Sequence, residues 1–137
     1  MNADVCFSDL SVLIVEDEVL IAEELKDRLA RLGFSAIAAV DNAEEGVAIA
    51  VRQRPDLVLM DIRLKGQTDG IQAAQEIRRQ VDLPIVYVTA YSDAVTIERA
   101  KGSEYDGFIL KPFQRRELQS TIEVAIQRHA LRARVGE

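Results

Sequence analysis

The sequence has one cysteine, Cys6, among 137 residues, which rules out an intramolecular disulfide. No histidine neighbours it, so a small apolar filler is a better reading than a reactive thiol. Positive charge is in deficit: the net charge is −6, and an acidic body attracts neither a phosphate backbone nor an anionic lipid surface. Direct nucleic-acid binding and membrane attachment are therefore not expected. Arginines do gather toward the C-terminus (Arg115, Arg116, Arg128, Arg132, Arg134), where a solvated helix end favoured by the helix dipole accounts for them. No apolar run approaches the ~20 residues that span a bilayer. Asp4 and Asp9, with no basic segment before them, are unlike a secretory signal, so a cytoplasmic location is expected. There is no repeat, linker or low-complexity tract, and 137 residues suffice for one domain with a core but not for two.

What the chain does have is alternation. Apolar residues make up 48% of it, and short apolar runs alternate with longer amphipathic stretches. Strands are predicted at 10–15, 36–40, 57–60, 85–89 and 108–110. The helix over 18–32 carries Leu20, Ile21, Leu25 and Leu29, and Gly33 ends it. A second helix, capped by Asp41 or Asn42, carries Ala43, Val47, Ala50 and Val51. A turn-rich loop over 63–70 leads to a helix over 71–80 with Ile71, Ala74 and Ile77 on one face. Ser92 or Asp93 caps a fourth helix with Ala94, Ile97 and Ala100 inward, and Gly102 stops it. The last helix, 114–133, carries Leu118, Ile122, Ala125 and Ile126. Five βα units in series imply an α/β, doubly wound, five-stranded parallel sheet with helices on both faces. For this size the expected order is 2-1-3-4-5, a flavodoxin-like (βα)5 fold with its ligand site at the carboxyl ends of strands 1 and 3. Residues 1–9 would be an N-terminal extension, 10–130 the domain, and 131–137 a helix end or linker.

Four of the apolar runs end on a chemically capable residue. Val12–Val15 runs into Glu16 and Asp17, Leu57–Met60 into Asp61, Ile85–Val88 into Thr89, and Phe108–Leu110 into Lys111. Each has a dull explanation alone: acids at a helix N-terminus, a loop cap, a β-branched strand residue, a surface lysine. All five at predicted strand ends make the dull set improbable, because parallel strands bring those ends side by side. Clustered carboxylates repel, and a bound Mg²⁺, with its preference for hard oxygen ligands, relieves the conflict. Such an ion neutralises charge in phosphoryl transfer, and a carboxylate such as Asp61 is a competent nucleophile toward phosphorus. Lys111 can pair with a phosphoryl oxygen, Thr89 can donate to another, and the small Ala90 leaves room beside them.

These motifs, in this order, resemble the receiver domain of two-component response regulators. The carriers are Val12-Leu13-Ile14-Val15-Glu16-Asp17-Glu18, Leu57-Val58-Leu59-Met60-Asp61, Asp69-Gly70, Pro84-Ile85-Val86-Tyr87-Val88-Thr89-Ala90 and Lys111-Pro112-Phe113. The resemblance spans about residues 10 to 127 and implies roles by position. Asp61 would be the phosphoacceptor, served by a histidine kinase or a histidine phosphotransfer protein. Mg²⁺, or Mn²⁺ in its place, would be held by Asp17 directly, Glu16 by way of water, Asp61 and the Arg63 backbone carbonyl. Thr89 and Lys111 would contact the phosphoryl group, and the Lys111–Pro112 peptide would be cis, which proline tolerates. Phe108 would be the switch aromatic, following Thr89 inward and reshaping the face built by the fourth helix, fifth strand and fifth helix. A downstream protein or effector domain would read that face. The domain would not be a turnover enzyme, though it would promote its own phosphotransfer and slow dephosphorylation.

Departures from the family pattern fall around the phosphoryl site. Glu16 stands where many receivers have Asp, and the loop from Asp61 to Gly70 lacks the frequent proline and is one residue longer. Arg63 and Tyr91 flank the site with bulk that would shield an acyl phosphate from water. The last helix offers a homodimer surface. The alternatives on this fold are a phosphate-independent interaction domain and an aspartate-nucleophile phosphohydrolase. The latter needs a second Asp where Arg63 stands. A flavodoxin-like electron carrier would need a phosphate-cradling loop where Glu16-Asp17-Glu18 stands.

Overall fold

The computed structural model describes residues 10–135, with side chains through Arg132. The expected N-terminal extension, residues 1–9 with Cys6, and the side chains of residues 133–137 lie outside the described residues. Strands and helices alternate throughout: β1 Ser11–Val15, α1 Val19–Leu32, β2 Ser35–Val40, α2 Ala43–Gln53, β3 Leu57–Met60, α3 Gly70–Gln80, β4 Ile85–Thr89, α4 Ala94–Gly102, β5 Gly107–Leu110 and α5 Arg115–Val135. The strands form one sheet in the order β2-β1-β3-β4-β5, and every pairing is parallel. This is the flavodoxin-like architecture that the alternation implies.

Side chains of alternate strand residues feed two cores, as a period of two requires. Leu13, Val15, Val58, Met60, Ile85 and Tyr87 pack with Ala50, Ala74 and Ile77 of α2 and α3. Val12, Ile14, Leu57, Leu59, Val86 and Val88 pack with Leu25, Leu29, Leu118 and Ile122 of α1 and α5. Both faces of β1, β3 and β4 are thus covered, which is why these strands read as unbroken apolar runs. Among the described residues, no helix is long and apolar enough to cross a membrane.

Helix ends follow local chemistry. Gly33 closes α1 at φ 96°, a left-handed conformation that glycine adopts without a Cβ penalty. Asn42, not Asp41, caps α2 by accepting from Glu45 N–H, and Asp93, not Ser92, caps α4 by accepting from Thr96 N–H. Asp69 and Gln72 form a reciprocal capping box at α3.

Three expectations need correction. Leu20 does not face the core: it is 84% exposed, because the buried stripe of α1 runs through Ala22, Leu25 and Leu29. In α4 the buried residues are Thr96 and Ala100, while Ala94 opens the helix and is exposed. The basic cluster is not one helix end. Arg115 and Arg116 open α5, where the dipole disfavours cations, whereas Arg128, Arg132 and Arg134 lie toward the favourable terminus.

Candidate functional site

The strand ends deliver the site. Glu16, Asp61 and Lys111 each lie immediately past a strand's last residue or at its connection, yet each stays anchored through its backbone. Glu16 N–H donates to Val40 O at 2.8 Å, Asp61 N–H to Val15 O at 2.8 Å, and Lys111 N–H to Thr89 O at 2.9 Å. Asp61 is braced further by Gly70. A Cβ at that position would sit 1.9 Å from the Asp61 carbonyl oxygen, so only glycine lets the start of α3 lie against the Asp61 backbone.

Lys111 is the hub. Its ammonium lies 2.8 Å from Glu16 Oε1, 3.0 Å from Asp61 Oδ2 and 3.3 Å from Glu18 Oε1. Glu16 and Asp61 are buried and Asp17 is half-buried. Burial, opposed by the Lys111 hydrogen bond and reinforced by the Asp61 charge, pushes the Glu16 carboxyl up from 4.5 to about 7. Asp17 is raised as well, by burial first and Asp61 second. For Lys111, burial acts downward, but the hydrogen bonds and charges of Glu16 and Asp61 outweigh it and raise its pKa. The cleft therefore holds its negative charge under strain, with one cation shared among three carboxylates.

Carboxylate oxygens of Glu16, Asp17, Glu18 and Asp61 lie within 4.8 Å of one another. Asp61 Oδ1 is buried and, among the described residues, has no hydrogen-bond partner. Hard oxygens, surplus negative charge and an orphaned carboxylate oxygen fit a small divalent cation such as Mg²⁺. Glu18 is the member that sequence reading passed over. It holds the N-cap position of α1 but makes no side-chain cap there, and its carboxylate turns to Lys111 instead. The consecutive acids Glu16-Asp17-Glu18 were the available signal.

The remaining expected residues surround this centre. Thr89 is fully buried, and its hydroxyl oxygen accepts from Tyr91 N–H at 3.3 Å. Ala90 is exposed beside it. The Arg63 guanidinium stacks over the Tyr91 ring at 4.0 Å, joining the loops after β3 and β4. The Lys111–Pro112 peptide is cis. Phe108 is half-buried on β5, opposite Tyr87 of β4. Asp41, read as a cap, instead accepts from the Asn42 side chain at 3.0 Å and pairs with Lys65 at 3.2 Å, and these contacts lower its pKa in that order. His129 lies 3.0 Å from Asp82, far along α5 from this cleft.

Residues 12–123 match the family model of the response regulator receiver domain. The chain belongs to that family. It is 38% identical over 117 residues to the transcriptional regulatory protein PdtaR of Mycobacterium tuberculosis, covering 85% of this chain and 57% of that protein. It is also 36% identical over 119 residues to a probable transcriptional regulator, ycf27, of Porphyridium aerugineum, covering 85% of this chain and 48% of that one. The receiver thus spans about half the length of the curated relatives it matches. Among solved structures, the signal receiver domain of a modulated diguanylate cyclase from Desulfovibrio desulfuricans is 38% identical, with a TM-score of 0.85 over 91% of this chain and 99% of that one.

Proposed function

We propose that this receiver is the phosphoacceptor of a two-component system, taking a phosphoryl group from a histidine kinase or histidine phosphotransfer protein onto Asp61. The observation that carries the reading is the asymmetry of Asp61. One oxygen is paired to Lys111 at 3.0 Å, and the other is buried and unpartnered at the meeting point of the strand ends. The free oxygen attacks phosphorus, the P–N bond to the donor imidazole breaks, and the imidazole leaves with that electron pair. Lys111 pairs with a phosphoryl oxygen as the charge moves off Asp61. Asp17, Asp61 and the Arg63 carbonyl would hold Mg²⁺, with Glu16 reaching it through water, and the ion would neutralise charge on the transferring group.

The Thr89 hydroxyl, held by a long 3.3 Å bond from Tyr91 N–H, is free to turn toward the phosphoryl oxygens. Phe108 then moves into the vacated space, and the face formed by α4, β5 and α5 changes shape. A downstream protein or effector domain reads that face, with α5 as a surface for a second copy. The domain is an acceptor that promotes its own phosphorylation and slow dephosphorylation, and it works in the cytoplasm. Incubation with ³²P-labelled acetyl phosphate and Mg²⁺ tests the reading. Stoichiometric label is expected on the wild type, with none on Asp61→Asn or after chelation of the metal. Wild-type labelling of Asp61→Asn would overturn it.

A further inference from the structure

A second polar arrangement lies behind the cleft and is used by none of the steps above. Tyr87 is fully buried on β4, two residues before Thr89 and therefore on the same face of the sheet. Its hydroxyl lies 2.6 Å from Ser103 Oγ, and Ser103 Oγ lies 2.6 Å from Ala100 O. A serine hydroxyl has one proton, and here it goes to the Ala100 carbonyl, so Tyr87 is the donor to Ser103. Ser103 is the C-cap of α4 and Ala100 belongs to its last turn. Two hydroxyls in line thus reach the end of that helix and add a side-chain bond to a carbonyl that also accepts from Ser103 N–H at 3.0 Å.

The helix they close has little else to hold it. Only Thr96 and Ala100 of α4 are buried, against five buried residues in α3. An ion pair from Arg99 to Asp69, at 2.7 Å and partly exposed, also ties it to the body. The Tyr87 ring meanwhile is wedged among aromatics. Its centroid lies 5.5 Å from that of Tyr105 and 6.1 Å from that of Phe108, and those two rings are 5.8 Å apart. A Phe108 ring that moves toward the sheet presses on Tyr87 from across the strand pair, with Tyr105 closing the other side. A hydroxyl pair at 2.6 Å tolerates little displacement of the ring that carries it.

We propose that Tyr87 is a positioning residue of the switch: its hydroxyl, through Ser103, clasps the C-terminal end of α4 in the resting arrangement, and its ring is the part that Phe108 displaces. The inference rests on the reading of Asp61 as phosphoacceptor and adds the link from that site to α4. The clasp favours the resting state only, so losing it raises the population competent to accept a phosphoryl mimic.

Tyr87→Phe keeps the ring and removes the hydroxyl, Ser103→Ala removes the partner, and Tyr105→Phe removes a hydroxyl that makes no such bond. Two quantities are measured: hydrogen exchange of the α4 amides in the metal-free protein, and half-saturation by beryllofluoride in Mg²⁺. In Tyr87→Phe and Ser103→Ala, α4 is expected to exchange about fivefold faster and beryllofluoride to half-saturate at about fivefold lower concentration, the size of one lost hydrogen bond. Tyr105→Phe should match the wild type. A role confined to stability would speed exchange without tightening beryllofluoride, and that result overturns the inference, as does unchanged or weakened affinity. Loss of folding in both clasp variants would also make the clasp purely structural and overturn it. Wild-type protein that takes up no beryllofluoride would overturn the reading of the cleft itself, and this inference with it. Uptake by the wild type with no gain in the variants removes the clasp alone.

Discussion

Asp61 and Asp106 are equally buried, each 4% exposed, at opposite edges of one sheet, and the protein treats them in opposite ways. Asp106 precedes β5 at the amino edge. Its Oδ2 accepts from Ile85 N–H at 2.9 Å and pairs with Arg78 of α3, and its Oδ1 lies 2.6 Å from Arg132 of α5. One carboxylate there has two guanidinium groups and a backbone donor. At the carboxyl edge the ratio is reversed. Asp61 shares a single lysine with Glu16 and Glu18, although the Oδ1 atoms of both aspartates, among the described residues, lack a hydrogen-bond partner. A carboxylate that serves the fold is given its own cations by the protein, because an unpaired buried charge costs several kcal/mol. In the proposed reading Asp61 is left short for chemistry, and the missing partners are those that a cation and a phosphoryl group would supply.

Exchanging each acid for its amide is the strongest way to break this contrast. Asp106→Asn strips the anion from Arg78, which is largely buried, and should cost about 3 kcal/mol in urea denaturation. Asp61→Asn keeps an acceptor for Lys111 while removing one of several crowded negative charges. The metal-free protein should therefore hold or gain about 1 kcal/mol. Equal losses at the two positions would mean that the number of cationic partners does not separate a structural carboxylate from a reactive one.

The two edges also differ in how far the sequence discloses them. Glu16, Asp61, Thr89 and Lys111 were legible because unbroken apolar runs mark buried parallel strands, and the residue that ends a run must sit at the sheet edge. The fold followed from the same pattern, since five apolar runs separated by amphipathic stretches leave few topologies. Asp106 had no such marker. Its partners Arg78 and Arg132 come from two helices on opposite faces of the sheet, so no spacing announces the cluster. The Tyr87–Ser103 pair is hidden for the same reason, as a tyrosine in an apolar run reads simply as core. Leu20 misled in the other direction, because helical periodicity identifies a stripe only to within the width of one residue.

The electrostatic strain at the carboxyl edge gives the comparison a pH axis. Glu16 titrates near pH 7 in the metal-free protein, so at pH 6 a cation must displace its proton, and at pH 8 the site is already ionised. Mg²⁺ affinity, followed by calorimetry or amide chemical shifts, should rise about tenfold from pH 6 to pH 8 and then level off. Glu16→Gln should flatten the profile. The sign for stability is opposite. A carboxyl whose pKa is raised from 4.5 to about 7 makes the folded state hold a proton that the unfolded chain has released. That contribution is therefore fully present below pH 4.5 and lost as pH rises through 7. Metal binding that is flat with pH in the wild type would mean Glu16 is not among the charges the cation meets.

The smallest effect is expected at the mouth of the cleft. Arg63 and Tyr91 come from different loops and meet in a cation–π contact at 4.0 Å, with Tyr91 38% exposed. An exposed contact of this kind is worth about 0.5–1 kcal/mol, enough to bias the two loops closed without locking them. An acyl phosphate on Asp61 hydrolyses only when water can approach it in line, so a closed mouth slows the loss. Tyr91→Ala should shorten the phosphorylated half-life about two- to threefold, read from the decay of ³²P label after donor removal. Arg63→Ala should do the same, and the double variant should decay no faster than either single one, since each removes the same contact. Additive acceleration would show that the two side chains block water separately, and a longer half-life in either variant would show that the stack exposes the phosphoryl group instead of covering it.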